Sequence, residues 1–231
     1  MLTDAYGIYQ NVSVRRAVLL YLKLTDSAAI ALFIRHAVSD LLKSRDLRSA
    51  LPMKDGAKAA QRNAGDDKVP IGQLAFKEEA AGKLRVFALV DSWTQTILSP
   101  LHLAMFQILK GLPNDGTFDQ DASFRRCQDK AAQFGVAFGY DLSSATDRLP
   151  MDLQVSLLSS LTGSQTLAEC WRDILVARDY VILENRYDIA PGAVRYAVGQ
   201  PMGALSSWAS LALTHHMVVQ YASCLIGNTS K

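Results

Sequence analysis

Two aspartates, Asp141 and Asp147, stand in "FGYDLSSATDRLP" (138–150), the first at the end of an apolar run and the second across a Ser-Ser-Ala-Thr turn. Open sheets commonly present ligand-binding groups beyond the C-terminal ends of their strands. A carboxylate there offers hard oxygens to Mg2+, which is held by one or two carboxylates together with waters and substrate phosphates. Asp147 also admits a plainer use, because Arg148, Leu149 and Pro150 follow it as they follow a helix N-cap with proline in the first turn. Spacing alone leaves both uses open.

Two further groups have chemical content. In "VGQPMGALSSWASLALTHH" (198–216), Gly199 and Gly203 flank Pro201 and let the backbone approach a ligand closely. Ser206 and Ser207 open a helix whose free N–H groups favour anionic or polar partners. The same pattern describes a glycine turn capping a buried helix, with Trp208, Leu211, Leu213 and Val218 in the core. In "KEEAAGKLRVFALVD" (77–91), Lys77, Lys83 and Arg85 converge at a loop-to-strand junction. There lysine acts as a point charge for phosphate and arginine as a fork, although a charge cluster also describes a solvated face.

These residues need elements to hold them. Helical spacing of apolar residues from Val12 to about Arg48 predicts two or three amphipathic helices with basic faces, and 49–71 reads as a loop. "KLRVFALV" (83–90) is a predicted strand. A helix over 91–111 follows, capped by Asp91 or Ser92, ended by Gly111 and interrupted or kinked by Pro100. Helices are predicted over 120–135, 150–163 and 164–178, a strand over 136–142, a hairpin through Ala190-Pro191-Gly192, and a last helix to about Ile226. Helices followed by mixed strands and helices indicate an α+β fold.

Composition bounds the rest. A chain of 231 residues with 49% apolar content can bury a substantial core. Its formal charge of +2 is unevenly placed: residues 1–90 carry 14 Lys and Arg against 9 Asp and Glu, and residues 91–231 carry 10 against 13. The first part is therefore the basic one. Cys127, Cys170 and Cys224 lack ligand spacing and read as reduced core residues. The most apolar stretches are short or interrupted by Arg35 or His215-His216, so no membrane span of about 20 residues is expected. The N-terminus shows neither a signal core nor a presequence.

The order of the three groups closely resembles that of the mitovirus RNA-dependent RNA polymerases, in the narnavirus-like group. "GKLRVFALVDSWTQ" resembles their fingers motif, "DLSSATDRLP" their palm motif A and "GQPMGALSSWASLALTHH" their palm motif B. "PNDGTFDQ" (113–120) is similar to a segment between fingers and palm, and the resemblance covers roughly residues 70 to 226. It implies a partial right-hand polymerase with a helical fingers region over 1–70, a basic fingers region over 71–135, and a partial palm over 136–231. It also implies RNA template, primer and nucleoside triphosphates as partners. Two Mg2+ ions would serve an in-line displacement. On this resemblance Asp141 is a catalytic metal ligand and Asp147 helps recognise the ribose 2′-hydroxyl. Ser206 and Ser207 with the Gly199–Gly203 loop steady template and nucleotide, and Lys83 and Arg85 neutralise the triphosphate. An asparagine found in many RNA polymerases in motif B is Leu211 here.

Palm motif C, a strand–Gly-Asp-Asp–strand hairpin, is not found after motif B, and neither is a thumb. Gly65-Asp66-Asp67 has no apolar strand on either side and reads as a chance match in a loop. The expectation is thus a truncated and inactive polymerase fragment, poorly soluble alone, viral or left in a plant mitochondrial genome, with a missing palm and thumb supplied separately if at all. Synthesis inside the mitochondrion fits the lack of a presequence. Two rivals remain: a non-catalytic RNA-binding remnant, and an unrelated Mg2+-dependent phosphotransferase that leaves "GQPMGALSS" unexplained.

Overall fold

The computed structural model describes residues 7–8, 10–25, 70–182 and 189–227. The helices expected between 26 and 48, and the loop carrying Gly65-Asp66-Asp67, lie outside the described residues. Helix α1 (Val12–Leu24) starts where Asn11 Oδ1 accepts the Val14 N–H at 3.1 Å, and it buries Val14, Ala17, Val18, Tyr21 and Leu22 along one stripe.

Strands β1 (Gly72–Glu78) and β2 (Leu84–Val90) form an antiparallel hairpin closed by a short 3-10 turn, Ala80–Gly82. β1 is absent from the sequence expectations: its last residues are polar and exposed, and it becomes a strand by pairing from Gly72 opposite Val90 to Glu78 opposite Leu84. β3 (Tyr180–Ile182) lies parallel to β1, and β4 (Gly192–Val194) pairs antiparallel with β3, so the sheet order is β2-β1-β3-β4. One sheet thereby joins the expected fingers and palm regions. Gly72 permits the crossing, since a Cβ there would lie 2.8 Å from both the Asp179 carbonyl oxygen and the Tyr180 ring.

Helix α2 (Ser92–Lys110) is capped by Asp91 and runs undivided through Pro100. α3 (Gln120–Phe134) ends at Gly135 in the left-handed region and buries none of its residues. α4 (Ala145–Arg148) is a single turn, followed by α5 (Met151–Thr162), α6 (Gln165–Val176) and α7 (Ser207–Leu225). The core centres on α6, whose Trp171, Ile174 and Leu175 are fully buried; α1 and α5 pack on it, and α7 packs on α2 and α5. The fold is mixed α and β with a small sheet. Among the described residues no helix is long and apolar enough to cross a membrane.

Trp208 and Val218, read as core residues, are exposed on α7, and two further expectations need correction. Residues 136–142 are not a strand; they run without secondary structure, and Val136, Phe138, Tyr140 and Leu142 are exposed. A strand needs a neighbour for its backbone N–H and C=O groups, and the four-stranded sheet does not include this segment. The cysteines are free, as expected, but only Cys170 is buried, whereas Cys127 and Cys224 sit exposed on α3 and near the end of α7. Apolar character cannot by itself place a side chain on the inner face of its helix.

Candidate functional site

The glycine loop before α7 is the piece on which the three groups meet. At one end, Gln200 N–H donates to the Thr146 carbonyl at 2.9 Å and Val198 O accepts from Met151 N–H at 2.9 Å, which ties the loop to the motif A turn and the start of α5. At the other end, Gly203 N–H donates to the Ala88 carbonyl of β2 at 3.2 Å. Both glycines are required by contact. A Cβ on Gly199 would lie 2.1 Å from the Thr146 carbonyl oxygen, and one on Gly203 would lie 2.6 Å from that of Ala88.

Buried side chains hold the loop in this bridge. Gln95 on α2 donates to Gly203 O and accepts from Leu205 N–H, both at 2.7 Å. Gln154 on α5 is fully buried and accepts from Gln200 Nε2 and Ser210 Oγ while donating to Leu149 O at 3.2 Å. Ser206 and Ser207 are fully buried too. Ser206 Oγ accepts from Trp171 Nε1–H at 2.8 Å, and the Ser207 hydroxyl donates to Pro201 O at 2.6 Å. Their hydroxyls thus serve the loop and helix start from inside. Among the described residues Ser144 and Ser206 are the non-glycine residues at positive φ, 53° and 71°, one between the two aspartates and one in the glycine loop. Such strain persists where surrounding structure over-determines it and is concentrated at functional turns.

The acids lie on the outer side. Asp141 is exposed in the segment 136–142, and Asp147 is exposed within α4. Pro150 takes the N-cap position of α5 without a side-chain bond, so Asp147 is not the cap its spacing allowed. Its charge instead acts on the nearby Tyr196 phenol, which also lies close to Met202 of the glycine loop. Burial first, and then the Asp147 charge and hydrogen bond, hold the Tyr196 hydroxyl protonated well above the usual phenol range. Tyr196 therefore stands between the Asp147 turn and the glycine loop, a position that nothing in its sequence context marks. It also lines, with Arg172, Val198 and Gly199, an open cleft of about 210 Å³ beside Pro150 and Asp152.

Lys83 and Arg85 stand at the far end of the β1–β2 hairpin, with Lys77 opposite Arg85. Arg85 makes a two-pronged pair with Glu79, Nε to Oε1 at 2.9 Å and Nη2 to Oε2 at 3.0 Å. At about 3.3 Å per residue, Arg85 is roughly 10 Å and Lys83 roughly 16 Å along β2 from the Ala88 contact. The structure thus brings Gly199, Gly203, Ser206, Ser207 and Asp147 together and sets the two cations at a distance.

Two supports escaped sequence reasoning. Arg178, fully buried, donates to Ile174 O and Ile71 O, each at 2.8 Å, to Thr94 Oγ1 at 2.8 Å, and to the Asp91 carboxylate. It locks the start of β1, the cap of α2 and the end of α6 to one point. His102 on α2 accepts the Ser206 N–H on Nδ1 at 3.2 Å, and burial holds its pKa below the usual imidazole range. An unfolded imidazole titrates near about 6.5, so in the window below that the unfolded chain binds more protons than the folded one. The stabilisation is complete above the unfolded pKa and is lost as pH falls through the folded one. Urea midpoints should consequently fall more between about pH 7.5 and about pH 5 for the wild type than for His102→Gln, whose amide oxygen accepts without titrating in this range.

The chain belongs to the mitovirus RNA-dependent RNA polymerase family, which matches it over residues 1–231. It is 41% identical over 168 residues to the RNA-directed RNA polymerase of Cryphonectria parasitica mitovirus 1, covering 71% of this chain and 19% of that polymerase. It is also similar to uncharacterized mitochondrial proteins of Arabidopsis thaliana, at 36% identity over 119 residues (50% of this chain, 45% of the relative) and 30% over 116 residues (48% and 53%). The chain therefore spans about a fifth of the viral relative and about half of each of these plant ones. No solved structure matches it.

The family's chemistry implies divalent metal ions. A two-metal centre requires ligands that hold ions about 3.5–4 Å apart. Among the described residues no group of three or more His, Cys, Asp or Glu side chains is placed to hold a metal ion. Asp141 is one exposed carboxylate on an unpaired segment, so the described donors do not fit such a centre.

Proposed function

We propose that these residues form the junction of fingers and partial palm of a right-hand polymerase that copies RNA from an RNA template. One observation carries the proposal: the glycine loop of motif B is bonded at one end to the motif A turn through Thr146 and at the other to the fingers strand through Ala88. A rigid bridge of that kind sets the ribose-reading acid at a constant distance from the strand that leads to the phosphate-binding cations. In this assignment residues 1–70 and 71–135 belong to the fingers and 136–231 to the palm. Asp141 would supply one carboxylate to an Mg2+ site that the described residues do not complete, and Asp147, beside Tyr196, contacts the ribose. Lys83 and Arg85 meet the triphosphate, Arg85 after release from Glu79. Ser206, Ser207 and Gly203 shape the loop that template and nucleotide rest on. The compartment is the mitochondrion, in keeping with the plant relatives' names.

The protein binds RNA but does not extend a primer, because among the described residues no group of three or more His, Cys, Asp or Glu side chains is placed to hold the metal ions. The test combines primer extension on an RNA template with Mg2+ and RNA binding over a salt series. The expected result is extension no greater than that of Asp141→Ala, with binding that weakens steeply as salt rises. Extension by the wild type that Asp141→Ala abolishes would refute the incompetence; absent or salt-insensitive binding would refute the RNA-facing role.

A further inference from the structure

The sequence contains three tryptophans, and two of them, Trp93 and Trp171, are buried, whereas Trp208 is 56% exposed. Trp208 lies in the first turn of α7, directly after the buried serines, and it is held there. Its ring meets Phe106 of α2 edge-on at 5.8 Å, Phe106 in turn meets Phe118 edge-on at 5.5 Å, and His102 backs Phe106 at 4.1 Å. Phe118, 52% exposed, belongs to the "PNDGTFDQ" loop. That loop is clamped from both sides: His216 of α7 meets the Asp115 carboxylate at 2.9 Å, and Arg126 of α3 donates to the Asp115 carbonyl at 3.4 Å. Burial pushes the Asp115 carboxyl up, but the bonds from His216 and Thr117 outweigh it and hold the acid ionised below its usual range. The neighbouring Asp119 carboxylate is engaged on Ala122 N–H.

Two half-exposed aromatic rings are thus fixed about a shared phenylalanine, and the loop that carries one of them is held by Arg126 of α3. Other exposed aromatic rings, such as Phe138 and Tyr140, lie on a segment without secondary structure, whereas Trp208 and Phe118 are each seated against Phe106. We propose that Trp208 and Phe118 form a stacking platform for the bases of a single-stranded RNA, with Arg126 facing its phosphates. Every base has a π face, so such a platform tolerates any sequence, and the exposed Arg126 guanidinium offers a contact to the backbone that a purely apolar partner lacks. The inference rests on the RNA-facing role proposed above and adds the place where the strand is held.

Trp208 supplies its own readout. Titrating the full chain with an unstructured pyrimidine RNA should quench the acrylamide-accessible tryptophan emission, while an abasic ribose-phosphate strand of equal length should bind without that quenching. Trp208→Ala should weaken RNA affinity about ten-fold, Trp208→Phe should restore most of it, and Phe118→Ala should add a smaller loss. RNA binding with no quenching and no effect of Trp208→Ala would overturn the platform and leave the RNA-facing role standing. No RNA binding by the wild type would overturn both.

Discussion

Replacing Arg178 by methionine is expected to lower the unfolding free energy by about 3–5 kcal/mol, the range for removing one partner of a buried ion pair. The side chain is fully enclosed, and its loss strands the Asp91 carboxylate together with the Ile71 and Ile174 carbonyls in a site without water access. Methionine keeps the volume, so the effect reports lost charge and hydrogen bonds rather than a cavity. Urea unfolding of the single variant should be compared with Asp91→Asn and with the double variant. Asparagine still accepts the Thr94 N–H as a cap, and it removes the stranded charge. The double variant should therefore be less destabilised than the two single effects added together, a coupling that a double-mutant cycle measures. Additive effects would show that Arg178 and Asp91 act through separate neighbours.

Gly199→Ala is expected to act on the site more than on the core. The added Cβ would stand 2.1 Å from the Thr146 carbonyl oxygen and 2.5 Å from the Asp147 carbonyl carbon, both backbone atoms that no rotamer change can move. The loop must withdraw from the Thr146–Asp147 turn, losing the Gln200 N–H bond to Thr146 and moving Tyr196 away from the Asp147 charge. Overpacking of this kind costs about 1–3 kcal/mol or more. The diagnostic readout is the Tyr196 environment: near-ultraviolet absorbance titration should show a phenol ionising at lower pH in the variant, since burial and Asp147 both raise its pKa in the wild type. An unchanged tyrosine titration would mean that the loop does not couple Gly199 to Asp147. Gly203→Ala strikes the opposite end, at Ala88, and should leave that titration less altered.

Local signals were largely sufficient for the helices. Asp91, Asp119 and Ser164 cap where side-chain oxygens meet free N–H groups, and Gly135 and Gly163 end helices in the left-handed region that glycine enters without steric cost. β2 was legible from its β-branched and aromatic run, and β3 and β4 pair as the expected hairpin strands do, although Gly192, expected in the turn, begins β4. β1 and residues 136–142 went the other way. The first is weakly patterned and pairs; the second is strongly patterned and does not. Strand formation depends on a partner elsewhere in the chain, and no local pattern states whether that partner is present.

The candidate site divides along the same line. By itself the sequence marked the candidate segments, since Asp141 and Asp147, the Gly199–Gly203 loop with its serines, and the basic strand stand out by residue type, spacing and order. Only the tertiary structure decided what each does mechanically. It turned Ser206 and Ser207 inward, paired Arg85 with Glu79, joined Asp147 to Tyr196, and gathered Asp91, Thr94, Ile71 and Ile174 around Arg178. Tyr196 and Arg178 are far in sequence from most of the groups they hold, and hydrogen bonds between distant segments leave no periodicity to read. Their positions follow from burial: a polar group taken out of water must find its partner wherever the fold puts one.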